Sequence, residues 1–255
     1  MGGAREEEIC MKLFDAYCSF GELALKPPSY SKNAQELIAV MDRCGIEDAV
    51  VFHSAMRYAS AVEGNEHVIR ETAGLARLRP SWAVMPHHTG EQPKVEQFID
   101  EMSSSGVNVL YAFPDEHGYI LDEVVFGGLF EEMVRRRIPL FLKPKWNLVY
   151  SLLKQYPQLI LVAVGHGPHG DDRYFRPMLE RYKNFYMDTS CYLQEGGIEE
   201  VCRRYGAHRL LFSTGYPNNC IGGPILRLLA AGISPEEKER IAHENIESLL
   251  EQVRV

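Results

Sequence analysis

The chain contains no apolar run approaching the roughly 18 residues of a membrane-spanning helix. It also lacks a stripe of lysine and arginine: 27 basic residues stand against 35 acidic ones, a formal net charge of -8. An acidic surface repels a phosphate backbone, so nucleic acid is not an expected partner. The six cysteines, Cys10, Cys18, Cys44, Cys191, Cys202 and Cys220, form no Cys-x-x-Cys pair. Scattered in this way they read as reduced thiols, not as a disulfide framework. No Gly-x-Gly-x-x-Gly follows a strand pattern and no Walker loop occurs, which removes the sequence support for a nucleotide-binding sheet. Repeats, linkers and low-complexity tracts are absent. Met1 to Glu8 is polar and lacks the apolar stretch of a secretion signal. The expectation is a cytoplasmic protein with neither membrane nor nucleic-acid partner.

What is present is a regular alternation. The 255 residues are 45% apolar and 24% charged, ordinary for a globular protein with a large core. Apolar runs rich in β-branched and aromatic residues predict strands at Lys12–Tyr17, Asp48–Phe52, Ser81–Met85, Val107–Ala112, Pro139–Leu142, Leu159–Val164, Phe185–Asp188 and Leu210–Ser213. Most are near-continuous, as expected where helices cover one face and a packed interior the other. Between them, residues 34–43, 65–76, 94–102, 129–136, 148–156, 173–181, 198–205 and 224–231 carry apolar side chains at helical spacing. Eight strand–helix alternations predict an α/β fold of the (β/α)8 TIM-barrel kind. Ser234-Pro235-Glu236-Glu237 then opens an extra C-terminal helix, with Ser234 as its cap. The expected organisation is one barrel domain over residues 1–255, with residues 1–11 as a flexible or accessory N-terminal segment.

Five segments carry a family resemblance. Asp15-Ala16-Tyr17-Cys18-Ser19-Phe20-Gly21 resembles Asp-x-His-x-His-x-Gly. Tyr156-Pro157-Gln158-Leu159, an apolar strand and Gly165-His166-Gly167 are similar to Pro-x-Leu-strand-His-x-Gly. Asn184-Phe185-Tyr186-Met187-Asp188-Thr189-Ser190 resembles Asn-(Val/Phe)-Tyr-x-Asp-Thr-Ser. Phe212-Ser213-Thr214-Gly215-Tyr216-Pro217 resembles Phe-Gly-(Ser/Thr)-Asp-Tyr-Pro, and Ser234 to Asn245 is similar to the Ser-x-Glu-Glu opening that leads to a terminal Asn. In this order the motifs resemble the amidohydrolase-related family, in the branch with aminocarboxymuconate-semialdehyde-decarboxylase-like proteins. The resemblance implies a metal-dependent-hydrolase-like barrel with a divalent metal, often zinc, at its C-terminal mouth.

At the positions where the resemblance implies metal ligands, this chain has Tyr17, Ser19, Lys143, Gly165 and Gly215. A phenol, a hydroxyl, an amine and two glycines are not a zinc donor set. The expectation is therefore no cofactor and no metal residue, with Cys18, Cys191, Cys220 and nearby histidines kept as the alternative zinc set. Lys143, His166 and Tyr17 are the candidate catalytic residues, and Ser19, His53, Asp188 and Tyr216 the candidate substrate-binding residues. His169, three residues after His166, is a further ligand candidate. The expected function is a hydrolase, or a related C–C lyase or decarboxylase, acting on a small organic acid, amide or lactone. Two alternatives stand beside it: a catalytically silent barrel that binds a small-molecule ligand or partner, and a Schiff-base lyase using Lys143, which needs that lysine buried. A homo-oligomer is left open.

Overall fold

A computed structural model describes residues 11–23, 26–167 and 171–254. His169 and all of the expected N-terminal segment except Met11 lie outside these residues; Met11 packs against the core. The strands are β1 Phe14–Phe20, β2 Asp48–His53, β3 Leu78–Pro80, β4 Trp82–Ala83, β5 Leu110–Ala112, β6 Leu140–Leu142, β7 Leu161–Ala163, β8 Phe185–Asp188 and β9 Leu210–Leu211. All pair in parallel, β1-β2-β3 in one run and β4 to β9 in another. Only Ser81 separates β3 from β4. Its amide donates to Val51 O and that of Trp82 to Val109 O, so one barrel strand passes from β2 to β5. The ring closes where Ala16 N donates to Phe212 O, Gly215 N to Tyr17 O and Ser19 N to Tyr216 O, each at 2.9 Å. The fold is the (β/α)8 barrel that the alternation predicts.

The strand runs are apolar because both their faces are covered. Leu159 to Val164 and Leu140 to Leu142 are all buried, inward against other strands or outward against helices. The helices follow their capping signals. Asn33 Oδ1 accepts from Glu36 N at the start of α1 (Ala34–Cys44), and Gly45, at φ +69°, ends it. After the short α2 (Ala55–Tyr58), α3 (Ala61–Thr72) starts four residues before the expected 65, because Ser60 caps Glu63 N. Gly64 lets it dock: a Cβ there would lie 2.3 Å from Met56 N, so α3 rests directly on α2.

The remaining helices are α4 (Val95–Ser104), the short α5 (Pro114–His117), α6 (Glu123–Arg136), α7 (Trp146–Gln155), α8 (Asp172–Arg181), α9 (Gly197–Tyr205) and α10 (Gly222–Ala230). Helix α6 begins well before the expected 129, since Asp122 accepts from Val125 N. The extra C-terminal helix is present as α11 (Pro235–Glu239), a π turn at Arg240–Glu244 and α12 (Asn245–Glu251). Ser234 caps this helix as the sequence predicts, and Glu237 completes a capping box with it. Ile241 O accepts from Phe212 N, which fixes this helix to the last barrel strand. Among the described residues, no helix is long and apolar enough to cross a membrane.

Candidate functional site

Two buried carboxylates organise the C-terminal mouth. Asp15 on β1 accepts from the amide and hydroxyl of Thr214, after β9, and from Tyr17 N. Burial pushes its carboxyl up to about 6, against the pull of those donors. Asp188, at the end of β8, accepts from Gly165 N at 2.9 Å, from Ser213 Oγ at 2.5 Å, and from both the amide and the hydroxyl of Ser190. It thereby ties the segments after β7, β8 and β9. Asp188, expected to bind substrate, has its oxygens engaged by donors at the strand ends.

Tyr17 lies between these carboxylates. The β1–β2 register slips between Asp15 and Cys18, a bulge that redirects the strand at this residue. The Tyr17 ring stacks on Phe52 at 5.9 Å and tilts against Tyr111 at 6.2 Å. Phe113 continues this aromatic layer, 5.8 Å from Tyr111. Burial pushes the Tyr17 phenol above its ordinary range; the positive Arg57 offsets part of that and Asp188 adds to it. The phenol is a hydrogen-bond donor at neutral pH. Ser19 is buried and pairs with Phe52, the ring on which Tyr17 stacks.

Cations rim the mouth on one side. Arg57, on the α2 turn after β2, donates Nε to Glu116 at 2.6 Å and lies over the Phe113 ring at 5.9 Å. A cavity of about 310 Å³ opens here, lined by Arg57, Phe113, Glu116, Leu142, Lys143 and Leu148. Lys143 is exposed and makes no ion pair among the described residues. The burial that a Schiff-base lysine requires is therefore not met. Arg57 escapes the strand-and-helix reading because it sits in neither a strand nor a long helix. Its signal is position, four residues beyond a strand end where barrel ligands bind.

The other expected residues turn elsewhere. His166 is buried, with Nδ1 3.0 Å from Gly167 O and its ring packed against Phe175 and Tyr192. The Tyr216 hydroxyl is shared with Ser31 Oγ at 3.1 Å, beside the segment leading into α1, and so does not join Tyr17 and Lys143. His53 points to α3. Its ring lies 4.9 Å from that of His67, and its Nε2 lies 3.7 Å from Glu71 Oε1. Burial first, then His67 and Arg70, pushes His53 down to about 4, so the ring is neutral at pH 7. Sequence reasoning missed His67 and Glu71. Their i,i+4 spacing, on the helix that follows a strand ending in His53, was the available signal.

The residues at the mouth do not fit the divalent metal that the resemblance implies. Gly165 and Gly215 sit at φ +60° and +66°, a conformation that costs a residue with a Cβ. A Cβ on Gly215 would stand 2.4 Å from Asn219 Nδ2, and one on Gly165 3.3 Å from Tyr17 Cε1. The cysteine alternative is not assembled either. Cys18 Sγ faces Val50 O, Cys191 Sγ takes the Asn219 amide at 3.3 Å, and Cys220 is exposed. Among the described residues, the one grouping of three or more such ligands is His53, His67 and Glu71, with ligand atoms within 4.8 Å of one another.

Comparisons place this fold among known proteins. The family model described as Amidohydrolase matches residues 24–251. An uncharacterised TIM-barrel protein from Bordetella bronchiseptica is 18% identical with a TM-score of 0.73, covering 94% of this chain and 99% of that one. A probable 2-pyrone-4,6-dicarboxylic acid hydrolase from Acinetobacter baumannii, solved with citric acid, is 14% identical with a TM-score of 0.72, covering 94% and 100%. A dihydroxybenzoic acid decarboxylase from a Polaromonas species, solved with manganese and 2-nitroresorcinol, is 16% identical with a TM-score of 0.70, covering 94% and 97%. No curated protein sequence matches the chain.

Proposed function

The chain belongs to the amidohydrolase family, and we propose that it acts on a small organic acid, or its amide or lactone, without a metal at the usual family position. The observation that carries this reading is the pair of left-handed glycines, Gly165 and Gly215, standing where side-chain ligands are implied. The substrate class is taken from the rim and from the solved relatives, which act on or bind small carboxylic acids. Lys143 lines this cavity without an ion pair among the described residues and offers a cation to a carboxylate, beside Arg57, whose guanidinium is paired with Glu116. Phe113, its ring already packed by Tyr111 and Arg57, adds an apolar wall to the cavity. The protonated Tyr17 phenol is buried and does not line this cavity, but it lies near enough to Arg57 to feel its charge; it is the donor we assign to a carbonyl oxygen that reaches past the rim as negative charge develops on it. In hydrolysis that oxygen belongs to the scissile carbonyl under attack by water. In C–C cleavage it receives the electron pair of the breaking bond.

A second reading is favoured by the carboxylates. Asp15 and Asp188 are both fully engaged by donors, so neither is free to act as a general base. A barrel that binds the acid without turning it over fits that arrangement. One experiment separates the readings: chelator-treated protein assayed against hydroxybenzoates, aromatic amides and lactones, with binding followed by calorimetry. Turnover that survives chelation and falls at least about 10-fold in Tyr17→Phe or Arg57→Gln supports the first reading. Binding without turnover selects the second. Activity that appears only with added zinc or manganese overturns the metal-free mouth.

A further inference from the structure

We propose that His53, His67 and Glu71 form a binding site for a divalent transition metal such as Zn2+, at the corner between the end of β2 and helix α3. The site shares no residue with the cavity described above and does not depend on the proposed activity. Two imidazoles and one carboxylate are a common zinc donor set, with a fourth position left to water.

Three observations carry the proposal. First, the three groups converge but do not bond to one another. His53 Nε2 and Glu71 Oε1 stand 3.7 Å apart, too far for a hydrogen bond and close to the separation of two ligands on one tetrahedral ion. All three ligand atoms lie within 4.8 Å of one another. Second, Glu71 Oε2 is buried with no hydrogen-bond partner among the described residues. A buried carboxylate oxygen is rarely left so, and a cation held by both oxygens of Glu71 beside the imidazoles would satisfy it. Third, the backbone holds the arrangement. Gly64, His67 and Glu71 follow one another at i, i+3 and i+7 on a single stripe of α3. The close contact of Gly64 with Met56 presses that stripe onto the segment after His53. Gly21 bounds the other side, where an added Cβ would fall 2.7 Å from His53 Nε2.

His67 and Glu71 are only half-buried, so an ion reaches them from solvent. One contact opposes binding. Ala55 N donates to His53 Nδ1 at 3.2 Å, which leaves the ring proton on Nε2. Coordination through Nε2 moves that proton to Nδ1 and gives up the long Ala55 contact. No proton is gained or lost at His53 overall.

The test is calorimetric titration of untagged, chelator-stripped protein with Zn2+, repeated with Co2+ while its d–d absorption is followed. One ion is expected per chain. His67→Ala and Glu71→Gln each weaken it at least about 10-fold and abolish the tetrahedral cobalt spectrum, while Cys191→Ser leaves both unchanged. Both test residues are half-buried on a helix, and circular dichroism checks that the variants fold. Absence of a stoichiometric ion overturns the proposal, as does binding that survives either variant. Metal binding here and metal-independent turnover at the mouth are separate readouts, so either fails without the other.

Discussion

Asp188 and Glu71 lie in two corners of one barrel and are treated in opposite ways. Asp188 accepts four hydrogen bonds from three segments of chain. Glu71 keeps one buried oxygen without a partner, although two imidazoles stand beside it. A carboxylate saturated by backbone and hydroxyl donors fixes geometry and has little capacity left for chemistry. One left short of donors is open to a cation. The contrast assigns structural work to the acidic groups at the mouth and binding work to the corner beside α3.

The comparison breaks most visibly at Asp188. Asp188→Ala strands the Gly165 and Ser190 amides and two hydroxyls, and should cost about 3–5 kcal/mol by urea denaturation. A loss below about 1 kcal/mol would mean that the mouth is not held by this residue. Asp15 sharpens the same point through pH. Its folded-state value of about 6 lies above its ordinary 3.8, so its contribution is fully present below pH 4 and is lost as pH rises through 6. Relative to the wild type, Asp15→Asn should therefore gain stability between pH 4 and 7, on the order of 3 kcal/mol. Parallel stability curves for the two proteins would remove Asp15 from the account.

Gly215→Asp restores the residue type that the resemblance implies. It should cost about 1–2 kcal/mol for its left-handed backbone and bring no metal to the mouth. Stoichiometric zinc in that variant, retained after His67→Ala, would reverse our reading of the glycines. The smallest effect belongs to the unsaturated corner. Without metal, Glu71→Gln should change stability by less than about 0.5 kcal/mol, because no hydrogen bond to Oε2 is lost. A large loss would reveal a partner for Glu71 and remove the contrast with Asp188.

The barrel was legible because most of its strands are near-continuous apolar runs, and because the Ser234 cap marks a helix start with local chemistry. The misplaced boundaries have local causes too. Leu78-Arg79-Pro80 reads as a polar break, yet Pro80 sits in a strand end that passes its pairing on at Ser81. The early part of α6 contains Gly127 and Gly128, which hide a helix already capped by Asp122. The site was less legible. Tyr17, Ser19 and Asp188 fall near one another because strand order alone brings their ends together. Where a side chain turns beyond a strand end depends on bulges, turns and neighbouring helices. His53 is drawn to α3 by the Gly64 contact, Tyr216 to Ser31, and His166 into the Phe175–Tyr192 pocket. None of these partners is near its residue in sequence, so no motif encodes them.

The two acidic clasps are unevenly placed around the ring. Asp15 and Asp188 are the buried carboxylates among the described residues, and they span the ends of β7, β8, β9 and β1. Among the described residues, the ends of β5 and β6, which line the cavity with Arg57 from beyond β2, have no buried carboxylate of this kind. The backbone amides after β7, β8, β9 and β1 should accordingly exchange more slowly than those after β5 and β6.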